Sequence, residues 1–335
     1  MNKKLVALAV AAAFAAPVAM AQITLYGKVH ADLRMTDDGD DDMWSINSNT
    51  SKLGFKGHTD LGDGMKALFK FETTYSGLDA SSTLGSPRNT YIGLSGAKGA
   101  LLVGRHDTPA KMAFYAAGND HLGDSIIDFN KVDKATGAGF TEKRQANSVV
   151  YIAPAMSGFK VAVAAMPGEQ NGVTDGVKAN DDNGLIDSYS LGVMYKGNGI
   201  KAGFGYENLA HDNAQGQANN DTKMTQLGAS YTFENITVGG QYENTKNYAN
   251  NADQTKQVMG LAVKAGFGKN AVIANFSQQD IENSADSSQD SESQNIGVAV
   301  QHKINKRANV YLAFNKQETD DIDRNNVALG MMYSF

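Results

Sequence analysis

The sequence has no cysteine among its 335 residues, so the disulfide framework that stabilises many small secreted domains is excluded. Beyond its N-terminus it also lacks any run approaching about eighteen apolar residues, the length that a transmembrane helix requires. Only 5 residues are proline whereas 35 are glycine, a balance that favours closely packed, curved strands over helices. The net charge of −6 argues against a nucleic-acid partner, because nucleic acids bind basic proteins.

The N-terminus contains one short apolar segment. Two lysines precede the apolar run Leu5 to Ala16, and Ala19-Met20-Ala21 supplies the small-residue pattern of a cleavage site. A run of about a dozen apolar residues is too short for a stable membrane anchor. We therefore predict a signal peptide over residues 1–21 and an exported mature chain over residues 22–335.

Alternation between apolar and polar residues is abundant. Over the last ten residues every second side chain is apolar and shares one face of an extended strand, namely Val327, Leu329, Met331, Tyr333 and Phe335. The side chains between them are mixed and mostly small, which is typical of a strand with lipid on one side and an aqueous lumen on the other. The same period of two recurs along the whole mature chain, whereas a helix would repeat every three or four residues.

Counting one strand per alternating segment predicts sixteen strands. Tight turns such as Asn198-Gly199 and Glu234-Asn235 alternate with long polar connections such as 210–222 and 283–292. An even strand number places both termini at one end, and closure is required because an open sheet edge in hydrocarbon would leave backbone groups unpaired. The predicted fold class is all-β, a 16-stranded antiparallel transmembrane β-barrel. Its predicted strands are 22–35, 50–59, 64–75, 88–96, 100–106, 145–152, 158–167, 186–196, 200–209, 223–233, 236–246, 256–267, 270–281, 293–303, 307–318 and 325–335.

Four short motifs resemble those of a known family. Ser51-Lys52-Leu53-Gly54-Phe55-Lys56-Gly57, Tyr91-Ile92-Gly93-Leu94, Gly104-Arg105 and the terminal Tyr333-Ser334-Phe335 resemble the general porins of Gram-negative bacteria. The start of the mature chain, Gln22 to Gly27, looks most like the branch found in beta-proteobacteria and some gamma-proteobacterial relatives. The order and spacing of the motifs extend this resemblance over essentially the whole mature chain.

The resemblance implies a homotrimer of sixteen-stranded barrels in the outer membrane, each with its third external loop folded inward to narrow the pore. It implies a general diffusion porin, which forms a water-filled channel for small hydrophilic solutes and ions and is not an enzyme. The implied partners are outer-membrane lipid, lipopolysaccharide and the barrel-assembly machinery. A terminal aromatic such as Phe335 resembles the signal that this machinery reads.

The longest segment without alternation covers residues 107–144, between the fifth and sixth predicted strands. A stretch of this length without structure of its own is usually functional or disordered. We expect its aromatic residues Phe114, Tyr115 and Phe129 to pin it to the barrel wall. In similar porins this loop turns acidic residues toward a basic wall. The acidic side of the constriction is therefore predicted at Asp107, Asp120, Asp124 and Asp128.

The basic side of the predicted constriction is assigned in two ways. Lys52, Arg88 and Arg144 match basic positions of the family, and Arg105 belongs to the third motif. Alternation alone directs four more basic side chains to the lumen: Lys28, Arg34, Lys56 and Lys70. Arg88 is in phase with the apolar residues of the strand that follows, so it faces the lumen only if a bulge or the barrel rim intervenes. Opposed charges across a narrow waterway would select solutes by size and charge.

Two other functions remain open. A substrate-specific channel for sugars would need an aromatic slide, and Tyr26, Tyr91 and Tyr311 face inward but are scattered. A barrel-embedded enzyme such as a lipase would need a nucleophile and a histidine on the outer wall, where only His302 keeps phase. The six histidines show no metal-ligand spacing, so no metal and no cofactor are predicted. Ion selectivity, natural solutes, the trimer contact face and divalent-ion binding by the acidic loops are left open.

Overall fold

The computed structural model describes residues 22–78, 85–133, 138–168, 184–210, 221–320 and 323–335. The predicted signal peptide, residues 1–21, lies outside these ranges. All basic and acidic side chains predicted for the constriction lie within them, whereas residues 134–137 of the predicted constriction loop lie outside.

The architecture is one 17-stranded sheet, in which all neighbouring strands pair antiparallel, and a separate two-stranded sheet. One α-helix, α1 (Pro109–Ala116), follows β6, and two short 3-10 helices cover Tyr248–Asn250 and Ser287–Gln289. The strands are β1 Gln22–Asp37, β2 Asp42–Ser48, β3 Lys52–Gly62, β4 Met65–Thr74, β5 Thr90–Gly96, β6 Gly99–Asp107, β7 Lys131–Asp133, β8 Ala138–Gly139, β9 Arg144–Ile152, β10 Phe159–Met166, β11 Ser188–Gly197, β12 Ile200–Leu209, β13 Thr222–Phe233, β14 Ile236–Lys246, β15 Gln254–Phe267, β16 Asn270–Asn283, β17 Ser291–Lys303, β18 Ala308–Thr319 and β19 Asp323–Ser334.

β2 and β3 are two halves of one transmembrane strand. β2 pairs with one half of β1, where Ser48 lies opposite Ala31, and β3 pairs with the other half, where Lys52 lies opposite Lys28. The register shifts by one residue between them, and the connecting residues form a bulge in which Thr50 has φ 52°. Because the two halves count as one, the sheet has sixteen transmembrane strands, which confirms the predicted number.

The second transmembrane strand begins earlier than predicted. The prediction begins the strand at residue 50, whereas the structure begins it at Asp42. A tight turn over residues 38–41, with Gly39 at φ 91°, reverses the chain directly after β1. Trp44 and Ile46 then face outward, 65% and 63% exposed. The alternation is present in this segment but is short and adjoins an acid-rich stretch, which the prediction assigned to a loop.

The barrel closes between its first and last strands. β1 pairs antiparallel with β19, from Lys28 opposite Ser334 to Asp37 opposite Asn325. At the end of this seam the backbones of Gly27 and Phe335 exchange two hydrogen bonds of 3.1 Å. Closure leaves no open sheet edge, which a bilayer would not tolerate.

The two faces of the strands differ as the alternation predicts. On β19, Leu329 is 60% exposed whereas its neighbour Ala328 is 0% exposed. The exposed row is apolar on strand after strand, as expected for a surface in lipid, and the buried row is mostly small or polar, with apolar residues such as Ile273 and Val258 where the chain packs on it. In the described part of the chain, no helix has the length and apolar character needed to cross a membrane.

The two ends of the barrel differ in their connections. At one end, here called the turn end, short turns join the strands and both termini of the described chain are found. These turns need left-handed backbone, as at Asn198 (φ 51°) and Gly199 (φ 77°). At the other end, here called the loop end, the connections are longer, and the longest runs from β6 to β9.

Candidate functional site

The long loop, residues 107–144, begins with helix α1. The Thr108 hydroxyl caps this helix by accepting a hydrogen bond of 3.3 Å from the Lys111 backbone N–H, and Pro109 occupies the first turn. Helix α1 packs on β11 and β12, where glycines permit close approach. A Cβ at Gly203 would overlap the carbonyl oxygen of Ala113. The sequence of β12 is therefore shaped to receive this helix.

Beyond the helix, polar side chains of the wall bind the backbone of the long loop. These side chains are neutral, and most are amides from strands β13 to β18. The pairs are Ser230 Oγ to Ala117 O at 2.6 Å, Asn275 Nδ2 to Ile127 O at 2.6 Å, Gln317 Nε2 to Val132 O at 3.1 Å, and Gly139 N to Gln279 Oε1 at 2.8 Å. These wall residues are out of phase with the exposed apolar row of their strands, as Ser230 is with Tyr231 and Gln317 is with Phe314, so the long loop contacts the opposite side of the wall.

Two apolar clusters complete these contacts. In one, Leu122, Ile126 and Ile127 pack against the wall residues Ile273, Ala299, Tyr311, Ala313 and Ala328. In the other, Phe114, Phe129 and Phe140 pack against Val258 and Ala262. Phe114 and Phe129 are 2% and 1% exposed, in agreement with the predicted pinning role, whereas Tyr115 is 43% exposed. The Tyr115 hydroxyl instead donates to Glu142 Oε1 at 2.7 Å.

A buried ion pair holds the returning limb of the long loop. Lys256 Nζ lies 3.0 Å from Glu243 Oε1, and both side chains are almost fully buried. Glu243 accepts hydrogen bonds from the Thr141 N–H at 2.7 Å and the Thr141 hydroxyl at 2.6 Å. Lys256 also donates to the Gly139 carbonyl oxygen at 2.7 Å. The pair therefore joins β14 and β15 to two residues of the loop.

At the tip of the long loop, Asp124 meets the basic wall. Its Oδ2 atom lies 2.5 Å from Lys28 Nζ of β1. Burial opposes ionisation of Asp124, but Lys28 outweighs it and holds the pKa of this carboxyl below its ordinary value. Asp120 differs, because burial and the nearby carboxylates of Asp128 and Asp124 raise its pKa well above the ordinary value. Asp128 is 4% exposed and accepts hydrogen bonds from the loop's own backbone, including the Asp124 N–H at 2.9 Å.

Four of the eight basic residues predicted for the wall cluster around one carboxylate, Glu72 of β4. Arg88 Nε lies 2.8 Å from Glu72 Oε1, and Lys70 Nζ lies 3.4 Å from Glu72 Oε2. The Tyr26 hydroxyl donates to Glu72 Oε2 at 2.8 Å, and Lys56 and Lys70 lie 5.2 and 5.6 Å from the Tyr26 ring centroid. Lys52 is adjacent on β3 and interacts electrostatically with Glu72.

Arg88 reaches this cluster because it precedes β5, which begins at Thr90. The strand was predicted to begin at residue 88 but begins later, so the alternation of β5 does not determine the side to which Arg88 points. Glu72 was visible on the polar face of its strand but was not singled out. Its position opposite Gly54 in the β3–β4 pair is what brings it among the lysines.

The remaining predicted residues lie elsewhere. Arg144 and Asp107 form an ion pair of 2.7 Å at the base of the long loop, and Lys111 joins Asp107 at 3.6 Å to Glu142 at 3.0 Å. Arg105 donates to the Pro87 carbonyl oxygen at 3.0 Å. Arg34 pairs with the buried carboxylate of Asp32 at 3.0 Å, nearer the loop end of β1. The predicted basic set is thus divided between the Glu72 cluster, the base of the long loop and the upper part of β1.

Five of the six histidines lie in the described ranges and bear on metal binding and on the barrel-embedded enzyme considered above, whereas His211 lies outside these ranges. Across the described ranges, no group of three or more His, Asp or Glu side chains is arranged to hold a metal ion. His302 is exposed at the end of β17, and its Nδ1 lies 2.8 Å from the Asn270 Oδ1. His30 is buried against the hydroxyl of Tyr311 at 2.8 Å.

Comparison with known proteins gives consistent matches. The family model described as Gram-negative porin matches residues 7–322. A major outer membrane protein P.IB of Neisseria meningitidis serogroup B is 30% identical over 283 residues, which cover 79% of this chain and 78% of that protein. Outer membrane porin protein 32 of Delftia acidovorans is 27% identical, covering 95% of this chain and 90% of that protein.

Solved structures show the same fold at lower identity. An anion-selective porin from Comamonas acidovorans superposes with a TM-score of 0.73 at 20% identity, covering 94% of this chain and 100% of that chain. A Salmonella typhi OmpF complex with daunomycin superposes with a TM-score of 0.72 at 17% identity, covering 93% and 97%.

Proposed function

The chain belongs to the Gram-negative porin family, and we propose that its long loop, residues 107–144, forms the constriction of the channel. As a member of this family with a closed sixteen-stranded barrel, the protein is an outer-membrane channel for the passive diffusion of small hydrophilic solutes and ions. In such barrels the short turns face the periplasm and the longer loops face outside.

One observation carries the proposal for the constriction. The long loop contacts the non-lipid side of the wall from β11 to β18, and its tip crosses to β1 through the pair between Asp124 and Lys28. The passage that remains is bounded by the Glu72 cluster on one side and by the edge of the loop on the other. Asp124 is its principal acidic residue, because Asp128 is turned into the loop and the raised pKa of Asp120 favours its neutral form.

The charges of this passage favour anions. Five cations, Lys28, Lys52, Lys56, Lys70 and Arg88, face two carboxylates, Glu72 and Asp124. The excess of positive charge lies in a confined waterway, where it is screened less than on an open surface. The solved porin from Comamonas acidovorans is described as anion-selective, which supports the same preference here.

Reversal potentials in a salt gradient test the constriction. Replacing Lys52→Gln and Lys70→Gln together is expected to shift the potential toward cations, and Asp124→Asn is expected to shift it toward anions. Both shifts should fade in molar salt because the Debye length falls to about 3 Å. Lys98→Gln, which removes an exposed charge at a turn, serves as the matched control. Wild-type selectivity in both channel variants at low salt would show that these residues do not line the constriction.

We also propose the partners that the family implies, namely a homotrimer, lipopolysaccharide, outer-membrane lipid and the barrel-assembly machinery. The position of Phe335 supports its role as an assembly signal. It closes the seam with Gly27, its ring stacks with Tyr333 at 6.4 Å between centroids, and it is 42% exposed. Surface levels of a Phe335 deletion, compared with a Ser334→Asp variant, test this role. Normal levels of the deletion would refute it.

We propose that the protein is neither an enzyme nor a sugar-specific channel. The tyrosines considered for an aromatic slide are engaged elsewhere. Tyr26 binds Glu72, Tyr91 packs on His106 at 5.1 Å between centroids, and Tyr311 is 2% exposed. A lipase assay on the purified protein, and conductance in the presence of an oligosaccharide, test both exclusions. Lipid hydrolysis or a saturable block would overturn them.

A further inference from the structure

The strands β10 to β19 separate their charges along the barrel axis. In the halves of these strands nearest the turn end, every ionisable Asp, Glu, Lys or Arg residue is a lysine. The carboxylates of the same strands lie in the halves nearest the loop end. The lysines are Lys160, Lys196, Lys201, Lys264 and Lys303, and the carboxylates are Glu207, Glu243, Asp280, Glu282, Glu292, Glu318 and Asp323.

These five lysines share the inner face of the wall. Lys201 lies between Ile200 and Ala202 on β12, and Lys264 lies between Val263 and Ala265 on β15. Since Ile200 is 41% exposed and Val263 is 40% exposed on the apolar outer surface, alternation turns the lysines to the other side. The sequence shows the same alternation at these positions. The predicted basic residues nevertheless all come from the first part of the chain, residues 28–144, and do not include these five lysines.

Among the described residues, the five lysines form no ion pair, unlike several of the other inner cations. Lys28, Lys70, Arg88, Lys111 and Lys256 each form an ion pair, whereas none of the five does so with any carboxylate in the ranges that the structure describes. The charged groups that interact electrostatically with Lys264 are Lys303 and Lys201, so these ammonium groups repel one another. A set of like charges without a counter-charge is stabilised by an anion from solution.

The long loop approaches two members of this set, Lys201 and Lys264. Gly118 has φ +75°, and a Cβ there would lie 2.8 Å from Lys201 Cδ, so the Lys201 stem runs against the loop backbone. His121 follows closely, and burial together with Lys264 and Lys201 lowers its pKa to about 4. Its imidazole is therefore neutral at neutral pH. Its Nε2 atom is buried and has no hydrogen-bond partner among the described residues.

We propose that Lys201, Lys264 and Lys303, together with His121, form a binding station for multiply charged oxyanions on the periplasmic side of the constriction. This proposal rests on the constriction assigned above, because the long loop supplies its upper side. One dianion such as inorganic phosphate offers several acceptor oxygens to ammonium donors and relieves the repulsion among three lysines. A single chloride ion, with one charge, relieves the repulsion among fewer of these ammonium groups.

Single-channel recording in potassium chloride, with inorganic phosphate added to one compartment at a time, tests the station. We expect a saturable reduction of the current that is stronger when phosphate enters from the turn end. In the double variant Lys201→Gln/Lys264→Gln, the apparent dissociation constant should rise roughly tenfold or more, since two charged hydrogen-bond donors are lost. The variant Lys201→Arg/Lys264→Arg keeps the charges and should keep the block.

The matched control is Lys269→Gln/Lys306→Gln, which removes the same charge from exposed turns at the same end. It should leave the phosphate block unchanged. Equal block in the wild type and in Lys201→Gln/Lys264→Gln, or equal loss of block in the turn control, would overturn the station. The Lys52→Gln/Lys70→Gln channel separates the two proposals, because it should change reversal potential while it retains the block from the turn end.

Discussion

The wall formed by β1 to β6 and the wall formed by β11 to β18 share the same alternating pattern but differ in their inner residues. The first wall carries Lys28, Lys52, Lys56 and Lys70 on its inner face, and the tip of the long loop contacts one of them, Lys28, through Asp124. The second wall presents neutral amides, serines and glycines over its middle and is covered by the long loop. The wall that docks the loop is mostly neutral and carries the ion pair of Glu243 with Lys256 buried against the loop, whereas the wall that guides ions keeps its charge around the passage.

Breaking the buried ion pair between Glu243 and Lys256, which holds the long loop on the wall formed by β11 to β18, should have the largest effect on stability. Lys256→Met leaves the Glu243 carboxylate buried without its cation, and breaking a buried ion pair in this way costs about 3–5 kcal/mol. We expect the temperature at which the folded band disappears in detergent gels to fall sharply. Adding Glu243→Gln should restore part of the loss. The control is Lys246→Met, exposed on β14, and equal stability of the two lysine variants would contradict the prediction.

Filling the docking surface should have a smaller effect that appears mainly in conductance. Gly203→Val places side-chain atoms where the Ala113 carbonyl oxygen lies, and overpacking of this kind costs ~1–3 kcal/mol. We expect helix α1 to shift from the wall, with a changed single-channel conductance and greater current noise. Ala202→Val, on the outer face of the same strand, should leave both unchanged. A wild-type conductance in Gly203→Val would show that the helix does not border the channel.

Acidification should affect the contact at the tip of the long loop, where Asp124 meets Lys28 of the charged wall. In the folded protein the pKa of Asp124 lies below its ordinary value. The pair with Lys28 therefore stabilises the folded protein in full at pH values above the ordinary pKa, and this stabilisation is lost as the pH falls through the pKa that Asp124 has in the folded protein. We expect current noise to rise below about pH 4, near the ordinary pKa of an aspartate. Lys28→Met should show that noise at neutral pH already. Identical pH profiles in the two channels would contradict this role.

The outward face of the fold could be predicted from the sequence because it depends on a local period of two. The apolar row from Val327 to Phe335 needs no partner to be recognised. The closing pair of strands follows from the requirement that backbone groups be satisfied in lipid. The start of β2 was missed because Trp44 and Ile46 form a short alternating stretch beside an acidic turn.

The candidate site was less predictable because its geometry depends on long-range contacts. Whether Asp124 or Asp128 meets the wall is decided by the turn of the loop between them, in which Asp124 has φ 63°. Glu72 joins the lysines through cross-strand pairing, which depends on register. The contacts of Glu243 and Lys256 with the loop also require the loop to return to β14 and β15, and no local sequence pattern predicts this return.

The seam between β1 and β19 has a consequence for the order in which the chain folds. Its partners Lys28 and Ser334 are almost the whole described chain apart, whereas a hairpin such as β13 and β14 pairs residues close in sequence. The entropy of loop closure grows with the logarithm of length, so closing the seam from an open chain costs ~3 kcal/mol more than closing a hairpin. We expect the hairpins to form first and the ends to meet last. A nascent barrel therefore spends its assembly time with two unpaired edges, and it becomes a channel in the step that removes them.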